Sequence, residues 1–214
     1  MPKRIPFLLI SILLFLSFVL FSYVVAKEVF TQIDFDITTK LQDHISRKFD
    51  LPFSLFSILG SVEVTAIFWF ILSIFALIKR YWLTFIALFS FWFAHFLEIF
   101  GKIFVLHPGP PHLFYRGTID LNFPSHFVQT DFSYPSGHMM RTTYLVTFLI
   151  LFTFYKIKSP LKFPIILGLI AFTFLMIISR IYLAEHWTTD VIGGMLLGIS
   201  LGVFTSVWVP KKLN

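Results

Sequence analysis

Apolar residues run in long blocks separated by short polar or basic breaks. From residue 5 to residue 26 the chain is almost entirely Leu, Ile, Phe, Val and small residues, preceded by Lys3-Arg4. A membrane span needs roughly 18 consecutive apolar residues, and this block has that length. It is long for the apolar region of a secretory leader and ends at Val25-Ala26-Lys27-Glu28 without a clear cleavage pattern, so it reads as a retained span. Further blocks at residues 56–78, 83–104, 137–155, 163–183 and 189–209 bring the predicted spans to six. Residues 27–50 are polar but carry Ile33, Ile37, Leu41 and Ile45 at helical spacing, the pattern of a short amphipathic helix lying at the membrane interface. The expected fold is all-α: a six-transmembrane-helix bundle with a short interfacial helix after the first span, forming a single integral-membrane domain over residues 1–214.

Composition strengthens this reading. The chain is 57% hydrophobic and only 13% charged, against about 25% charged in soluble domains, and its mean hydropathy is +0.84. Without cysteine, disulfides, thiolate nucleophiles and Cys-based metal sites are excluded. A net charge of +6 could suit a nucleic-acid partner, but the basic residues are sorted by side. With both termini cytoplasmic, the inner side carries Lys3, Arg4, Lys79, Arg80, Lys156, Lys158, Lys162, Lys211 and Lys212, and every Asp and Glu falls on the outer half or in spans reached from it. That is the positive-inside bias that orients membrane proteins, so the bilayer is the partner and no nucleic acid is expected. Compact size points to a bacterial plasma membrane. Phe89, Phe91, Phe93 and Phe96 read as lipid-facing and packing residues, and Tyr182 and Trp187 as interfacial anchors.

Three polar clusters gather on the outer side. Lys102 ends the third span and precedes His107-Pro108-Gly109-Pro110-Pro111; Tyr134-Pro135-Ser136-Gly137-His138 opens the fourth; Ser179-Arg180, His186 and Asp190 join the fifth and sixth. A helix starting at the second cluster turns free N–H groups and its positive dipole end outward, which makes an anion site, and Gly137 admits an oxygen closely. Ser136 can donate to that anion or serve as the helix N-cap, and His138 beside it can supply a proton. His186 and Asp190, four residues apart, share a face if the segment is helical; the carboxylate can hold one ring nitrogen as N–H and leave the other nucleophilic. Arg180 offers a planar fork for phosphate oxygens, and Lys102 a second cation or a partner for Glu98, four residues earlier. His95, Glu98 and Lys102 fall on one side of the third span, where they either support the groups that hold phosphate or form a buried pairing. Two histidines, two cations and a helix N-terminus on one side of the membrane describe a phosphoryl-transfer site.

These clusters resemble the signature motifs of the type-2 phosphatidic acid phosphatase superfamily, which read Lys-x6-Arg-Pro, Pro-Ser-Gly-His and Ser-Arg-x5-His-x3-Asp. The second is complete at Pro135–His138 and the third at Ser179, Arg180, His186 and Asp190. The motifs cover residues 102–190, and six spans suit the family's membrane branch, which is related to vanadium haloperoxidases. The resemblance implies a lipid phosphatase without metal or other cofactor. His186 attacks phosphorus to form a phosphohistidine, Asp190 orients it, and His138 protonates the leaving group and then activates water. Lys102, Ser136, Gly137 and Arg180 hold the phosphoryl oxygens. Phosphatidic acid, phosphatidylglycerophosphate and a polyprenyl diphosphate all fit as substrates, reached from the outer leaflet.

The first motif departs from the pattern, because Gly109-Pro110 stands where the family has Arg-Pro. Loss of one charge-assisted contact costs about 1.5–3 kcal/mol unless replaced. Arg116, in the same outer loop, and Arg141, one turn after His138, are equal candidates for the replacement. His107 lies in the same stiff segment but is not counted among the site residues. Two other readings remain beside hydrolysis: a lipid phosphotransferase, in which an alcohol replaces water, and a non-catalytic lipid-binding or transport protein. The motifs leave the substrate and the oligomeric state open.

Overall fold

The computed structural model describes residues 4–119, 123–124, 130 and 132–210. Lys3, Lys211 and Lys212, together with Asp120 and Asp131 of the outer loop, lie outside the described residues. Among the described residues every regular element is helical: α1 (Arg4–Val25), α2 (Thr31–His44), α3 (Asp50–Ser57), α4 (Val62–Ile78), α5 (Trp82–Leu88), α6 (Ser90–Phe104), α7 (Gly137–Lys156), α8 (Lys162–Tyr182) and α9 (Thr188–Ser206). Short 3-10 turns flank α3, and another, His112–Phe114, lies in the loop before α7.

Four segments are long and apolar enough to cross a membrane: Arg4–Val25, Trp82–Phe104, Lys162–Tyr182 and Thr188–Ser206. A fifth arises if Arg47–Gly60 and Val62–Ile78, bent by 40° at their junction, form one broken span. The chain is therefore an integral membrane protein with four or five candidate spans rather than the six expected. The difference is α7. His138, Arg141, Thr142, Thr143 and Thr147 dilute its apolar character, and they can do so because α7 is enclosed by α9, α8, α4 and α6 and buries most of its first half. A helix solvated by protein on all sides has no need of a lipid-soluble surface.

Helices α7 and α9 form the tightest pair. Gly194, Gly198 and Gly202 recur every fourth residue on α9, and each faces a carbonyl of α7. An added Cβ would lie 2.3 Å from the Ser136 oxygen, 2.2 Å from that of Met140 and 2.7 Å from that of Tyr144. Small residues at this spacing let two backbones touch, which is the main source of helix attraction where lipid removes the hydrophobic drive. Helix α1 covers the far side of α9, with Ser11 donating to the Ser200 carbonyl (2.9 Å).

The amphipathic segment does form a helix, α2, but its buried positions are Asp34 and Thr38. Ile37 and Leu41 pack against the cluster of Met139, Met176, Ile181 and Val191, whereas Ile33 is 52% exposed. The face turned to the protein is thus rotated from the isoleucine stripe, because α2 meets a polar helix end on α9. Of the phenylalanines, Phe89, Phe93 and Phe96 face outward and Phe91 is fully buried. Tyr182 and Trp187, expected as interfacial anchors, are buried instead: Tyr182 donates to Asp50 (2.5 Å), and the Trp187 indole donates to the Pro108 carbonyl (2.9 Å).

Gly198→Val is expected to lower stability by at least about 2 kcal/mol, since the Met140 carbonyl and Thr143 Oγ1 both lie 2.2 Å from an added Cβ. Gly168 on α8 has nothing within 4 Å of an added Cβ, so Gly168→Ala should be neutral or stabilise by up to about 1 kcal/mol. Thermal unfolding of the two purified variants in detergent checks the contrast.

Candidate active site

The site begins where α7 and α9 begin. Pro135 cannot continue a helix backwards, so Ser136 becomes the N-cap of α7, its Oγ accepting from the Met139 N–H at 3.5 Å. The Ser136 N–H donates to the Asp190 carbonyl (2.9 Å), which ties the start of α7 to the first turn of α9. Asp190 caps α9 in turn, with Oδ2 accepting from the Trp187 N–H (3.0 Å). The same oxygen accepts from His186 Nδ1 at 3.3 Å. A carboxylate can only accept, so the proton of His186 sits on Nδ1 and Nε2 keeps its lone pair. The turn that carries His186 passes through Ala184, whose φ of +52° is in the left-handed region disfavoured for residues with a Cβ.

A cavity of about 620 Å³ opens at this point; Lys102, Gly137, His138, Arg141, Arg180 and His186 all line it. Five of the expected site residues thus bring their side chains to one space, with Gly137 contributing backbone. Asp190 stands behind His186, fully buried. Ser136 is also fully buried and acts as the cap rather than as a wall of the cavity. Arg116 lies elsewhere: it donates to the Tyr182 hydroxyl (3.1 Å), with its guanidinium 5.0 Å from the center of that ring. Of the two candidates for the missing guanidinium, Arg141 is the one on the cavity wall.

The cations are held by groups outside the three motifs, of which Glu98 is the partner that spacing predicts for Lys102. Arg141 donates to Glu98 (3.0 Å) and to the Gly60 carbonyl (3.1 Å), and its Nη2 lies 3.4 Å from His138 Nδ1. A guanidinium only donates, so this contact makes Nδ1 the acceptor and places the proton of His138 on Nε2. Glu98 also pairs with Lys102 at 3.1 Å and lies against the start of α7: an added Cβ on Gly137 would fall 1.9 Å from its Oε1. Arg180, only 2% exposed, donates to Ser57 and pairs with Glu185, while its Nε has no hydrogen-bond partner among the described residues. The i,i+4 spacing of Glu98 and Lys102 was a readable signal for their contact. Ser57, brought in by α3 from far along the chain, had none.

Burial, reinforced by the positive charges of Arg180, Lys102 and Arg141, drives the pKa of His186 well below its ordinary value. The ring is therefore held neutral, with a free lone pair, in a cavity whose walls carry Lys102, Arg141 and Arg180 together with Glu63, Glu98 and Glu185. Such an arrangement can attract a phosphate group, present an imidazole nitrogen to phosphorus and offer a proton from a second imidazole.

Comparison with known proteins gives the same direction. The model of the PAP2 superfamily matches residues 82–214. An undecaprenyl-diphosphatase of Sulfolobus acidocaldarius is 46% identical over 70 residues, covering 32% of this chain and 30% of that protein. Phosphatidylglycerophosphatase B of Bacillus subtilis is 39% identical over 77 residues, covering 34% and 37%. The matches span about a third of the length of these relatives. Among solved structures, the transmembrane PAP2-type phosphatidylglycerolphosphate phosphatase of Bacillus subtilis superposes with a TM-score of 0.72 over 91% of this chain and 93% of that one; at 21% identity this shows the shared fold. LpxE of Aquifex aeolicus gives a TM-score of 0.57 at 26% identity over 80% and 93%.

Glu98→Gln removes the carboxylate charge that compensates buried Arg141, whose side chain is 4% exposed. The variant should lose about 3 kcal/mol or more, read as a lower unfolding temperature in detergent.

Proposed function

The chain belongs to the PAP2 superfamily, and from that premise we propose that it hydrolyses a phosphate monoester or diphosphate on a membrane lipid through a phosphohistidine at His186. The observation that carries this reading is the shared cavity, where a neutral His186 backed by Asp190 and a His138 protonated on Nε2 stand among Lys102, Arg180 and Arg141. In the first step His186 Nε2 attacks phosphorus and the bond to the leaving oxygen breaks; His138, converted to the imidazolium by a proton that arrives with the bound phosphate anion and freed at Nδ1 from Arg141, gives its Nε2 proton to that oxygen and is left neutral. In the second, water attacks the phosphohistidine and gives a proton to His138; the P–N bond breaks and phosphate leaves. The phosphoryl oxygens are held by Lys102, Arg180, Arg141 and the backbone at Gly137, and the incoming phosphate displaces Glu185 from Arg180. Arg141 supplies the guanidinium absent at Gly109, and Ser136 holds the helix start. No metal takes part in either step.

The cluster of Arg4, Lys79, Arg80, Lys156, Lys158 and Lys162 supports an orientation with both termini in the cytoplasm and the site open to the outer leaflet of a bacterial plasma membrane. Within it α7 makes a sixth span, shielded from lipid by its neighbours, and α2 lies along the outer interface. One relative is named for a diphosphate and another for a monoester, and the substrate class here is the lipid phosphate that both have in common.

The first test is phosphate release by purified protein in detergent with EDTA present, from phosphatidic acid, phosphatidylglycerophosphate and undecaprenyl diphosphate. Release from at least one lipid, falling by about a thousandfold or more in His186→Ala, is expected. Release that survives His186→Ala sinks the phosphohistidine mechanism. Arg141→Ala should cost more activity than Arg116→Ala. The lowered pKa of His186 sets the sign of the pH response: the ring stays unprotonated through pH 6.5 and is lost as a nucleophile only below it. An NMR titration of the His186 ring should therefore find it neutral at pH 6.5; a ring half-protonated at or above 6.5 contradicts the assignment.

A further inference from the structure

Behind the reaction centre lies a buried group of polar side chains that none of the motifs contains. Asp34, on α2, accepts from the Thr189 N–H through Oδ1 (2.9 Å) and from the Thr189 hydroxyl through Oδ2 (2.6 Å). Thr189 Oγ1 in turn lies 3.2 Å from His107 Nε2. Because that hydroxyl gives its proton to Asp34, its lone pair must accept here, which fixes the proton of His107 on Nε2. The same Nε2 lies 3.8 Å from Asp34 Oδ2 and 3.7 Å from Asp190 Oδ1. Asp34, His107, Thr189 and Asp190 are all at least nine-tenths buried.

This placement answers a question left by the site itself. Asp190 uses Oδ2 for both Trp187 and His186, while its Oδ1 is buried without a hydrogen bond of good geometry among the described residues, the Ser133 hydroxyl being the other side-chain donor near this carboxylate. The polar N–H of His107 faces that oxygen and stands between two carboxylates that would otherwise repel across an apolar gap. Asp34 meanwhile holds a free N–H in the first turn of α9, the turn on which Asp190 sits, and a carboxylate is favoured at a helix N-terminus.

We propose that His107 and Asp34 are positioning residues: acting with Thr189, they fix the first turn of α9 and the carboxylate of Asp190, and so hold His186 at the angle from which its nitrogen meets phosphorus. The proposal rests on the hydrolase reading above for the identity of the reacting atoms. It gives α2 a role beyond lying at an interface, since α2 delivers the carboxylate that anchors the assembly. His107 is connected to the site through Asp190 and does not line its cavity.

The test uses the full chain in detergent with EDTA: wild type, His107→Ala, His107→Gln, Asp34→Asn and His186→Ala. Three quantities are read: the unfolding temperature without ligand, the affinity for orthovanadate from its shift of that temperature, and kcat and KM on any lipid that releases phosphate. Orthovanadate mimics phosphate in the five-coordinate geometry of displacement and reports the site whether or not the right lipid is in the panel. His107→Ala and Asp34→Asn should weaken orthovanadate by about tenfold and lower kcat by about 10- to 100-fold, with KM changed by less than about threefold. His107→Gln, whose amide N–H can reach the Thr189 hydroxyl, should recover part of both losses. Variants that only unfold at lower temperature, with orthovanadate affinity and kcat intact and Gln no better than Ala, overturn the proposal and leave the hydrolase reading standing. Absence of phosphate release from every lipid overturns the hydrolase reading alone, because the orthovanadate arm still decides. A wild type that does not bind orthovanadate overturns both.

Discussion

The contact between α7 and α9 is the constraint on which the site depends. Where Gly194, Gly198 and Gly202 meet the carbonyls of Ser136, Met140 and Tyr144, two backbones run in contact for about two turns. At the outer end of that seam the helix starts coincide, and one hydrogen bond from the Ser136 N–H to the Asp190 carbonyl locks them together. His138 rides on one helix start, and Asp190, with His186 just before it, on the other. A wider interhelical spacing would move the two imidazoles apart, and orientation effects of the size seen in enzymes do not tolerate displacements of about 1 Å.

Charge is the second organising problem. Lys102, Arg141 and Arg180 are cations at the end of a helical bundle, where an uncompensated charge is expensive. The fold answers with Glu98 between Lys102 and Arg141, and with Glu185 and Ser57 on Arg180. Each carboxylate holds a guanidinium or ammonium in place, which fixes the direction of its remaining donors. A preorganised set of donors in a water-poor space acts more strongly on developing charge than the same groups in solvent. The structure thus links a cost of folding to a property of the site: the acids needed to bury the cations also arrange them.

Much of this was legible in the chain. Long apolar blocks marked the spans, the Pro-Ser-Gly-His run marked a helix start, and the four-residue spacing of His186 and Asp190 placed their side chains in contact. The pattern failed where protein rather than lipid surrounds a segment. Helix α7 carries His138, Arg141 and three threonines within its first eleven residues and falls short of a span by apolarity, which is tolerated because its neighbours enclose it and Glu98 and the Gly60 carbonyl hold Arg141. Tyr182 and Trp187 are buried for a similar reason: each found an oxygen inside the fold. Helix α2 was recognised as a helix but turned Asp34 inward, since its docking face is matched to the N-terminus of α9 and not to a lipid surface.

The sequence by itself picked out the candidate site residues and set them at one end of apolar helices, because motif spacing and hydrophobic length are local properties of the chain. It also narrowed the replacement for the arginine absent at Gly109 to Arg116 and Arg141. Only the tertiary structure decided between their positions, setting Arg141 on the cavity wall against Glu98 and Arg116 on Tyr182. Only it joined Ser57 to Arg180, and Asp34 and His107 to the oxygen side of Asp190. Those contacts link residues tens of positions apart, and no periodicity encodes them. They arise when glycine-lined helices close to backbone contact and every buried polar group must find a partner nearby.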